Sequence, residues 1–386
     1  MSDANDVMRR LADARPAHLD PHAPVDPHTR RAELAHAMAG PREGRAPRRS
    51  RRPLWGIGLA GAVAAVTLTA AVVVTDTEEP VAVPAPLPGH PDAAVVDLDA
   101  RTVLLAAANG ALRQPGSTGR YWHSRTQFGA LEQVGPAARR YAVLHRYQHD
   151  VWDPRSPDDV GWFRSEDLGA RPATPADEAA WRADGSPTRW TVQAAVPNGG
   201  RRPPLEMHPR DSAFAHSTGR ASDAPDALNI TQKELNDAPA DPAALRRLLL
   251  GHPLGEADDG ENTDAELFET AAGLLLSRPL PPDKRAALYR MLAQIKGVTA
   301  TAGVRDAAGR PGIALKMRQR TEHSGDIEIH FIVDRATGAG LAKEVHVLRG
   351  KGDKAWLKPG TRWYYEVVTS RWVDVLPPMP RAPRGG

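Results

Sequence analysis

Residues 54–74 read LWGIGLAGAVAAVTLTAAVVV, a run of twenty-one positions without a charged side chain. At about 1.5 Å of rise per residue, a helix of this length is about 31 Å long, enough to cross the roughly 30 Å hydrocarbon core of a bilayer. Five arginines stand before the run and three acidic residues follow it: Arg45, Arg48, Arg49, Arg51 and Arg52, then Asp76, Glu78 and Glu79. Because cytoplasmic flanks carry the basic excess, the pattern predicts a single transmembrane helix with residues 1–53 in the cytoplasm and the C-terminal part outside the cell membrane.

Two other interpretations of this run stay open. The sequence SRRPL at 50–54 is similar to the start of a twin-arginine export signal, which would be cleaved. Against cleavage, the run is longer than the usual apolar region of about 7–15 residues, and no small-residue cleavage site follows before the prolines. The second alternative is a buried helix of a soluble protein, but such helices are usually shorter and lack an arginine cluster at one end.

The segments beside the run are poor in core-forming residues. Residues 1–53 are interrupted by prolines and hold few large apolar side chains, which predicts a disordered cytoplasmic arm. A zinc site of the usual kind would add cysteines, which the chain lacks, so the histidines of the arm are interpreted as solvated: His18, His22, His28 and His36. Residues 75–91 include EPVAVPAPLPGHP and form a predicted semi-extended linker.

Residues 92–376 carry the pattern of one α+β domain, followed by a disordered tail at 377–386. Aromatic and β-branched residues with rough alternation predict strands at 120–128, 140–152, 160–164, 190–196, 298–304, 313–317, 327–333, 341–348 and 363–375. Capping residues and apolar faces predict helices at 92–112, 174–183, 241–250, from 263 onward and at 281–297, with a long loop at 197–225. The expected architecture is a curved antiparallel sheet packed on several helices.

The sequence gives no support for a catalytic or cofactor-binding motif. No GxSxG, SxxK, HExxH or P-loop sequence occurs, and the one GxGxxG match, at 56–61, lies inside the apolar run. His145 and His149 have helical chelate spacing, but on a strand four residues span about 13 Å. The acidic run at 256–264 lacks the register of an EF-hand. The sequence therefore predicts no catalytic residue, no metal ligand and no cofactor, and an enzyme is the minority interpretation.

Charge and cysteine content limit the partners. The net charge is +3, and the basic excess lies beside the predicted span, where it orients the helix and attracts anionic lipid. We therefore predict no nucleic-acid binding. The chain has no cysteine, which excludes disulfides and thiolate metal sites.

Tryptophans are the most suggestive residues for binding, because the domain has several on predicted strands and the whole chain has only five phenylalanines. Trp122 and Trp162 are the candidates for an apolar groove on the curved sheet, which would hold an acyl chain or a partner peptide. The alternative is that these large aromatic side chains fill the core between sheet and helices.

Five sequence features follow one another along the domain: YW at 121–122, W at 181 before DG at 184–185, LNDAPADPAALRRLLL at 235–250, LPPDKRAALYRMLAQIKG at 280–297 and DAAGRP at 306–311. Their order resembles a large family of uncharacterised actinobacterial single-span membrane proteins known only by a locus-tag name. The resemblance implies a cytoplasmic arm, one span and an extracytoplasmic domain. That family has no established activity, so no functional residues carry over.

The hairpin with FIVD at 331–334 and TG at 337–338 is also similar to periplasmic lipoprotein carriers and anti-sigma-factor regulators, whose fold is a curved antiparallel sheet cupping helices. The favoured hypothesis is an envelope sensor or regulator whose outer domain binds a lipid, a peptide or a partner domain, with a possible protein partner on either side of the membrane. A lipid- or lipoprotein-binding domain is the second hypothesis. A cryptic extracytoplasmic hydrolase is the third, and it would require converging titratable groups in a pocket.

Overall fold

The computed structural model describes residues 96–378 except 115, 117–118, 157, 193–203, 219–229, 253–262 and 322–323. The predicted arm, span and linker lie outside the described residues, as do the GxGxxG match, most of the acidic run and the tail from residue 379. Within the described ranges, every helix is too short or too polar to cross a bilayer.

Among the described residues, a large curved antiparallel sheet of ten strands is the centre of the fold, which confirms the predicted α+β class. The strands are β1 Val96–Leu98, β2 Tyr121–Val134, β3 Tyr141–Pro154, β4 Val160–Pro172, β7 Arg210–Thr218, β8 Thr299–Arg305, β9 Pro311–Thr321, β10 Gly325–Val333, β11 Gly340–Gly350 and β12 Arg362–Val373. Their order across the sheet is β1-β8-β9-β10-β11-β12-β2-β3-β4-β7. Two short strands, β5 Arg189–Trp190 and β6 Leu205–Glu206, pair separately.

In the described part of the chain, six helices accompany the sheet: α1 Ala100–Leu112, α2 Pro175–Ala183, α3 Gln232–Asp237, α4 Pro242–Leu250, α5 Thr263–Ser277 and α6 Pro282–Leu292. Among the residues that cap these helices, Thr174 and Asp241 were predicted from the sequence. Asp99, Thr174 and Asp241 each accept a hydrogen bond from a backbone N–H in the first turn of α1, α2 and α4. Pro175 and Pro242 occupy the first helical position, where a missing N–H costs nothing.

Helices and strands share one main core. Phe268 and Leu274 of α5 and Leu288 of α6 are buried in it, together with strand residues such as Ile329 and Val345. Because side chains alternate along a strand, we call the face of the sheet that carries Ile329 and Val345 the helical face and the opposite one the outer face. A second, smaller core lies under α2, at the end of the β2–β3 hairpin. Its buried members are Val134, Tyr141, Val143, Ala170, Trp190, Val192 and Leu205.

Helix α1 lies unusually close to the turn between β10 and β11. A Cβ at Gly110 would lie 2.7 Å from the carbonyl oxygen of Thr337, and a Cβ at Gly338 would lie 2.7 Å from the carbonyl oxygen of Ala107. Gly338 also has a φ of +70°. Glycine at both positions therefore permits backbone contact between helix and turn.

Three predicted elements differ from the structure. The expected helix at 92–112 begins only after Asp99, because Val96–Leu98 extends and pairs with β8 as an edge strand. The strand expected at 190–196 ends at Trp190 within the described residues. The expected loop at 197–225 contains β6 and β7, and the polar sequence of β7 is explained by its position at the edge of the sheet beside β4.

Candidate functional site

Trp122 and Trp162 lie on opposite faces of the sheet. Trp122 pairs with Asp153 of β3, whereas Trp162 pairs with the neighbouring residue Trp152, and consecutive strand residues point to opposite faces. The indole N–H of Trp122 donates to the carbonyl oxygen of Ser277 at 2.8 Å, so this side chain attaches the end of α5 to the helical face. The two tryptophans therefore do not line one groove, which corrects the site expected from the sequence.

Other aromatic residues form a continuous row on the helical face. Tyr364 of β12, Phe128 of β2, Tyr147 and His149 of β3 and Phe163 of β4 follow one another across four adjacent strands. Phe128 stacks on Tyr147 at 4.6 Å between ring centroids, and His149 makes edge contacts with Phe128 at 5.0 Å and with Phe163 at 4.9 Å. We call these five residues the aromatic row.

The aromatic row lies between the two cores rather than inside either. Tyr364 packs against the edge of the main core, and the smaller core begins further along β2 and β3. Phe128 is buried, whereas Tyr147, His149, Phe163 and Tyr364 stay partly accessible. Half-buried aromatic rings on a sheet face beside a helical layer are the composition of an apolar binding surface.

His149 makes the centre of the row uncharged. Burial lowers the pKa of His149 to about 4, so the imidazole is neutral at physiological pH. Within the described part of the chain its Nδ1 is buried and has no hydrogen-bond partner. A buried polar atom without a partner costs stability unless a ligand supplies one, so this nitrogen is a candidate contact for a polar group of a ligand.

A buried ion-pair network lies at the β12 end of the aromatic row. The ammonium group of Lys343 lies 3.2 Å from a carboxylate oxygen of both Glu269 and Glu366, and Tyr364 donates to Glu366 at 2.9 Å. Burial alone would lower the pKa of Lys343, but the two carboxylates outweigh it and raise the pKa above its usual value. Lys343 is therefore charged, and the group gives the apolar row one polar end.

The outer face carries a second network around Asp150. This carboxylate is fully buried and accepts hydrogen bonds from His123 at 2.8 Å, Arg125 at 2.8 Å and Gln148 at 3.0 Å, while Arg164 lies 3.1 Å away. Burial on its own would raise the pKa of Asp150, but these hydrogen bonds and the two guanidinium charges hold it well below its usual value. The network ties β2, β3 and β4 together.

A third polar group on the outer face joins β10 and β11. His330, Glu344 and His346 each offer a ligand atom, and these atoms lie within 4.8 Å of one another. Glu328 is adjacent, and its hydrogen bond with His330 is the main reason that its pKa falls to about 2. The prediction of no metal ligand left these residues out. The signal that could have found them is a repeated Glu-X-His, as EIH at 328–330 and EVH at 344–346.

The earlier histidine candidates are not brought together as ligands. His145 and His149 lie on the same strand, as expected, and His145 contacts Asp167 at 3.1 Å. Asp167 also forms an ion pair with Arg210 of β7. The contact between His145 and Asp167 is therefore part of the sheet structure.

A cavity of about 600 Å³ lies at the sheet edge formed by β1 and β8. Its polar lining comprises Asp97, Asp99, Arg101, Thr299, Thr301, Lys316, Arg318 and Glu328. The hydroxyl of Thr301 donates to Asp97 at 3.0 Å, which fixes β1 against β8. The carboxylate that holds the hydroxyl of Thr301 thus joins two strands, and the hydrolase hypothesis stays a prediction.

Comparisons with known proteins yield nothing further: no protein family, curated protein or solved structure matches the chain.

Proposed function

We propose that the chain is a single-span envelope protein whose extracytoplasmic domain binds an apolar ligand, an acyl chain, on the aromatic row. The observation that carries the proposal is the row itself, five rings in contact across four strands on the face that also carries the helices. Aromatic rings bury large areas with little loss of conformational entropy, which suits a flexible hydrocarbon chain.

The polar surroundings of the row match a ligand with one polar group. His149 is neutral and offers an unpaired ring nitrogen, while Lys343 and its two carboxylates stand at the β12 end. An ester or hydroxyl near His149 and a hydrocarbon chain along Phe128 and Phe163 would satisfy both kinds of surface. The favoured ligand is therefore a lipid.

Phe163 and Trp162 provide a matched test, because they are neighbours on β4 that point to opposite faces. The full-length protein and the variants Phe163→Ala and Trp162→Ala would be titrated with a fluorescent fatty acid. Phe163→Ala removes about 1.5–3 kcal/mol of binding free energy that comes from burial of the ring against the ligand. We therefore expect this variant to bind with an affinity about 10-fold to 100-fold lower. Trp162→Ala should bind as the parent does.

The melting temperature of each variant serves as the control for folding. Equal affinity of Phe163→Ala and the parent, in variants that melt like the parent, would refute the aromatic row as the site. A parent protein that binds no fatty acid would return the function to contact with a protein partner.

Membrane anchorage is the second part of the proposal and depends on the apolar run at 54–74 and the arginines before it. A reporter enzyme that is active only outside the cytoplasm should work when fused after Val96 and fail when fused after Gly40. The reverse pattern would place the domain in the cytoplasm.

A further inference from the structure

Two neighbouring strands each carry a Glu-X-His sequence, and the sheet register superimposes them in antiparallel order. Glu328 of β10 lies opposite His346 of β11, and His330 lies opposite Glu344. Directly opposite residues have Cβ atoms about 4.5–5.5 Å apart and share a face, so the four side chains form a square on the outer face. We call this square the histidine–glutamate cluster.

The side chains of the cluster converge. The imidazole rings of His330 and His346 stack with centroids 4.0 Å apart and planes inclined by 18°. Nε2 of His346 lies 3.1 Å from Oε2 of Glu344, and Nε2 of His330 lies 2.9 Å from Oε2 of Glu328. Glu344 is buried and the other three side chains are partly buried, so each is ordered by packing before any ligand arrives.

Both ring nitrogens of His346 have an oxygen neighbour. Nε2 faces Oε2 of Glu344 at 3.1 Å, and Nδ1 lies 3.4 Å from the carbonyl oxygen of Gly360. A ring that binds a metal ion through Nε2 keeps its hydrogen on Nδ1, where this carbonyl oxygen can accept it. The surroundings of His346 therefore suit a metal ligand.

Groups outside the square orient its members. Arg362 donates to Oε1 of Glu344 at 2.7 Å, and Arg318 donates to Oε1 of Glu328 at 3.2 Å. In both carboxylates the oxygen held by arginine is the one turned away from the histidine. A carbonyl behind one histidine and a carboxylate behind the other are the outer contacts that metal-binding histidines usually have.

We propose that His330, Glu344 and His346 bind one zinc ion, with Glu328 orienting the ring of His330. Two imidazoles and one carboxylate favour zinc and the neighbouring transition metals over Mg²⁺ and Ca²⁺, which take oxygen ligands. Ligands of a tetrahedral zinc site lie at about 2.0–2.2 Å from the ion. Binding therefore closes the present spacing of up to 4.8 Å by side-chain rotations that tilt the two stacked rings towards one ion.

Charge around the cluster permits a dication. The two carboxylates of Glu328 and Glu344 balance the two charges of zinc. The positive charges that oppose a bound cation are those of the two arginines and of Lys316, which pairs with His330 on the outer face. Because Arg318 is 79% exposed and Arg362 is 38% exposed, solvent screens both and either can move outward.

The test uses the full-length protein after treatment with a chelator, titrated with zinc chloride in a calorimeter. We expect one zinc ion per chain at the cluster. His346→Ala and His330→Ala should each weaken binding by more than about 100-fold, and Glu328→Gln, which removes an orienting contact, by about 10–100-fold. His208→Ala changes an exposed histidine elsewhere on the domain and should leave the affinity unchanged.

A second source of zinc affinity in the chain is the histidines of the arm, so a variant with His18, His22, His28 and His36 replaced by alanine is titrated alongside. This variant should keep the tight site. Binding that is lost in it and kept in His346→Ala would overturn the proposal, as would a parent that binds zinc no more tightly than millimolar.

Folding of the variants is checked by circular dichroism without metal. Should His346→Ala unfold, the Co²⁺-loaded parent decides the matter. Intense visible bands from a low-symmetry site with nitrogen ligands, displaced by zinc, support the cluster, and the weak bands of hydrated Co²⁺ refute it.

Discussion

Replacing Asp150 by Asn removes one charge from the middle of the outer-face network and leaves the side-chain shape almost unchanged. In the native protein the carboxylate is fully buried and has contacts with His123, Arg125, Gln148 and Arg164. Asparagine has one accepting oxygen in place of two, and its NH₂ group would face a guanidinium donor. At least one charged partner therefore loses its counter-charge.

The size of the effect depends on how well the partners can reach water. Removing one member of a buried ion pair costs about 3–5 kcal/mol. Arg125 is 45% exposed and Arg164 is 28% exposed, so both can recover part of their hydration, whereas His123 is 13% exposed. We therefore expect Asp150→Asn to lower the free energy of unfolding by about 3 kcal/mol at neutral pH, the lower end of that range.

The pKa of Asp150 determines how the stability that it contributes changes with pH. The pKa of Asp150 in the folded protein lies below the value of about 3.9 in an unfolded chain. The stability that the carboxylate contributes is therefore fully present above about pH 5 and is lost as the pH falls through the unfolded value towards the folded one. The difference between parent and Asp150→Asn should shrink over that acidic range.

The assay is urea unfolding of the full-length protein at a series of pH values, followed by tryptophan fluorescence. Asp159→Asn, which removes the partner of the exposed Arg120, is the matched control and should have a much smaller effect. A loss below about 0.5 kcal/mol for Asp150→Asn, or a loss that does not change below pH 4, would refute the electrostatic argument.

Three further variants test packing and capping. A Cβ at Gly129 would lie 2.2 Å from the ring of Tyr365, its partner across the strands, so Gly129→Ala should destabilise the protein by about 1–3 kcal/mol in chemical denaturation. Gly110→Ala gains about 1 kcal/mol of helix propensity but meets the backbone of Thr337, so we expect net destabilisation and a lower melting temperature. Thr231→Ala removes the capping box of α3 and should cost about 1 kcal/mol, with the loss measured by the same denaturation assay.

The sequence predicted elements whose signals are local. Helices α2 and α4 follow from a capping residue before a proline, and β2 and β3 follow from their aromatic alternation. The tertiary pairing of short polar segments had no local signal. Val96–Leu98 becomes a strand because β8 has a free edge, and β7 forms because β4 offers one, although neither segment alternates clearly between apolar and polar residues.

Which strand residues share a face could be predicted only in part. The expectation of a groove with Trp122 and Trp162 required the correct register of β2, β3 and β4 at once, and an error of one residue moves a side chain to the other face. The aromatic row was missed because its members come from four strands of which two are separated by more than two hundred residues, Phe128 and Tyr364. Composition alone cannot show such contacts.

The alternation of side chains between the two faces of a strand made the aromatic row hard to predict. The same alternation makes the repeated Glu-X-His sequence informative. The middle residues of the two repeats, Ile329 and Val345, are buried in the main core and lie opposite each other. Slipping either strand by one residue would drive its carboxylate and its imidazole into that core, at a cost of several kcal/mol for the buried carboxylate alone. The hydrophobic core therefore fixes the register, and the register brings the four polar side chains together on the other face. Two such repeats, each with a β-branched residue at its centre, therefore predict a four-residue square when a short hairpin joins their strands. The signal is local in the sequence, so it needs no information on long-range contacts.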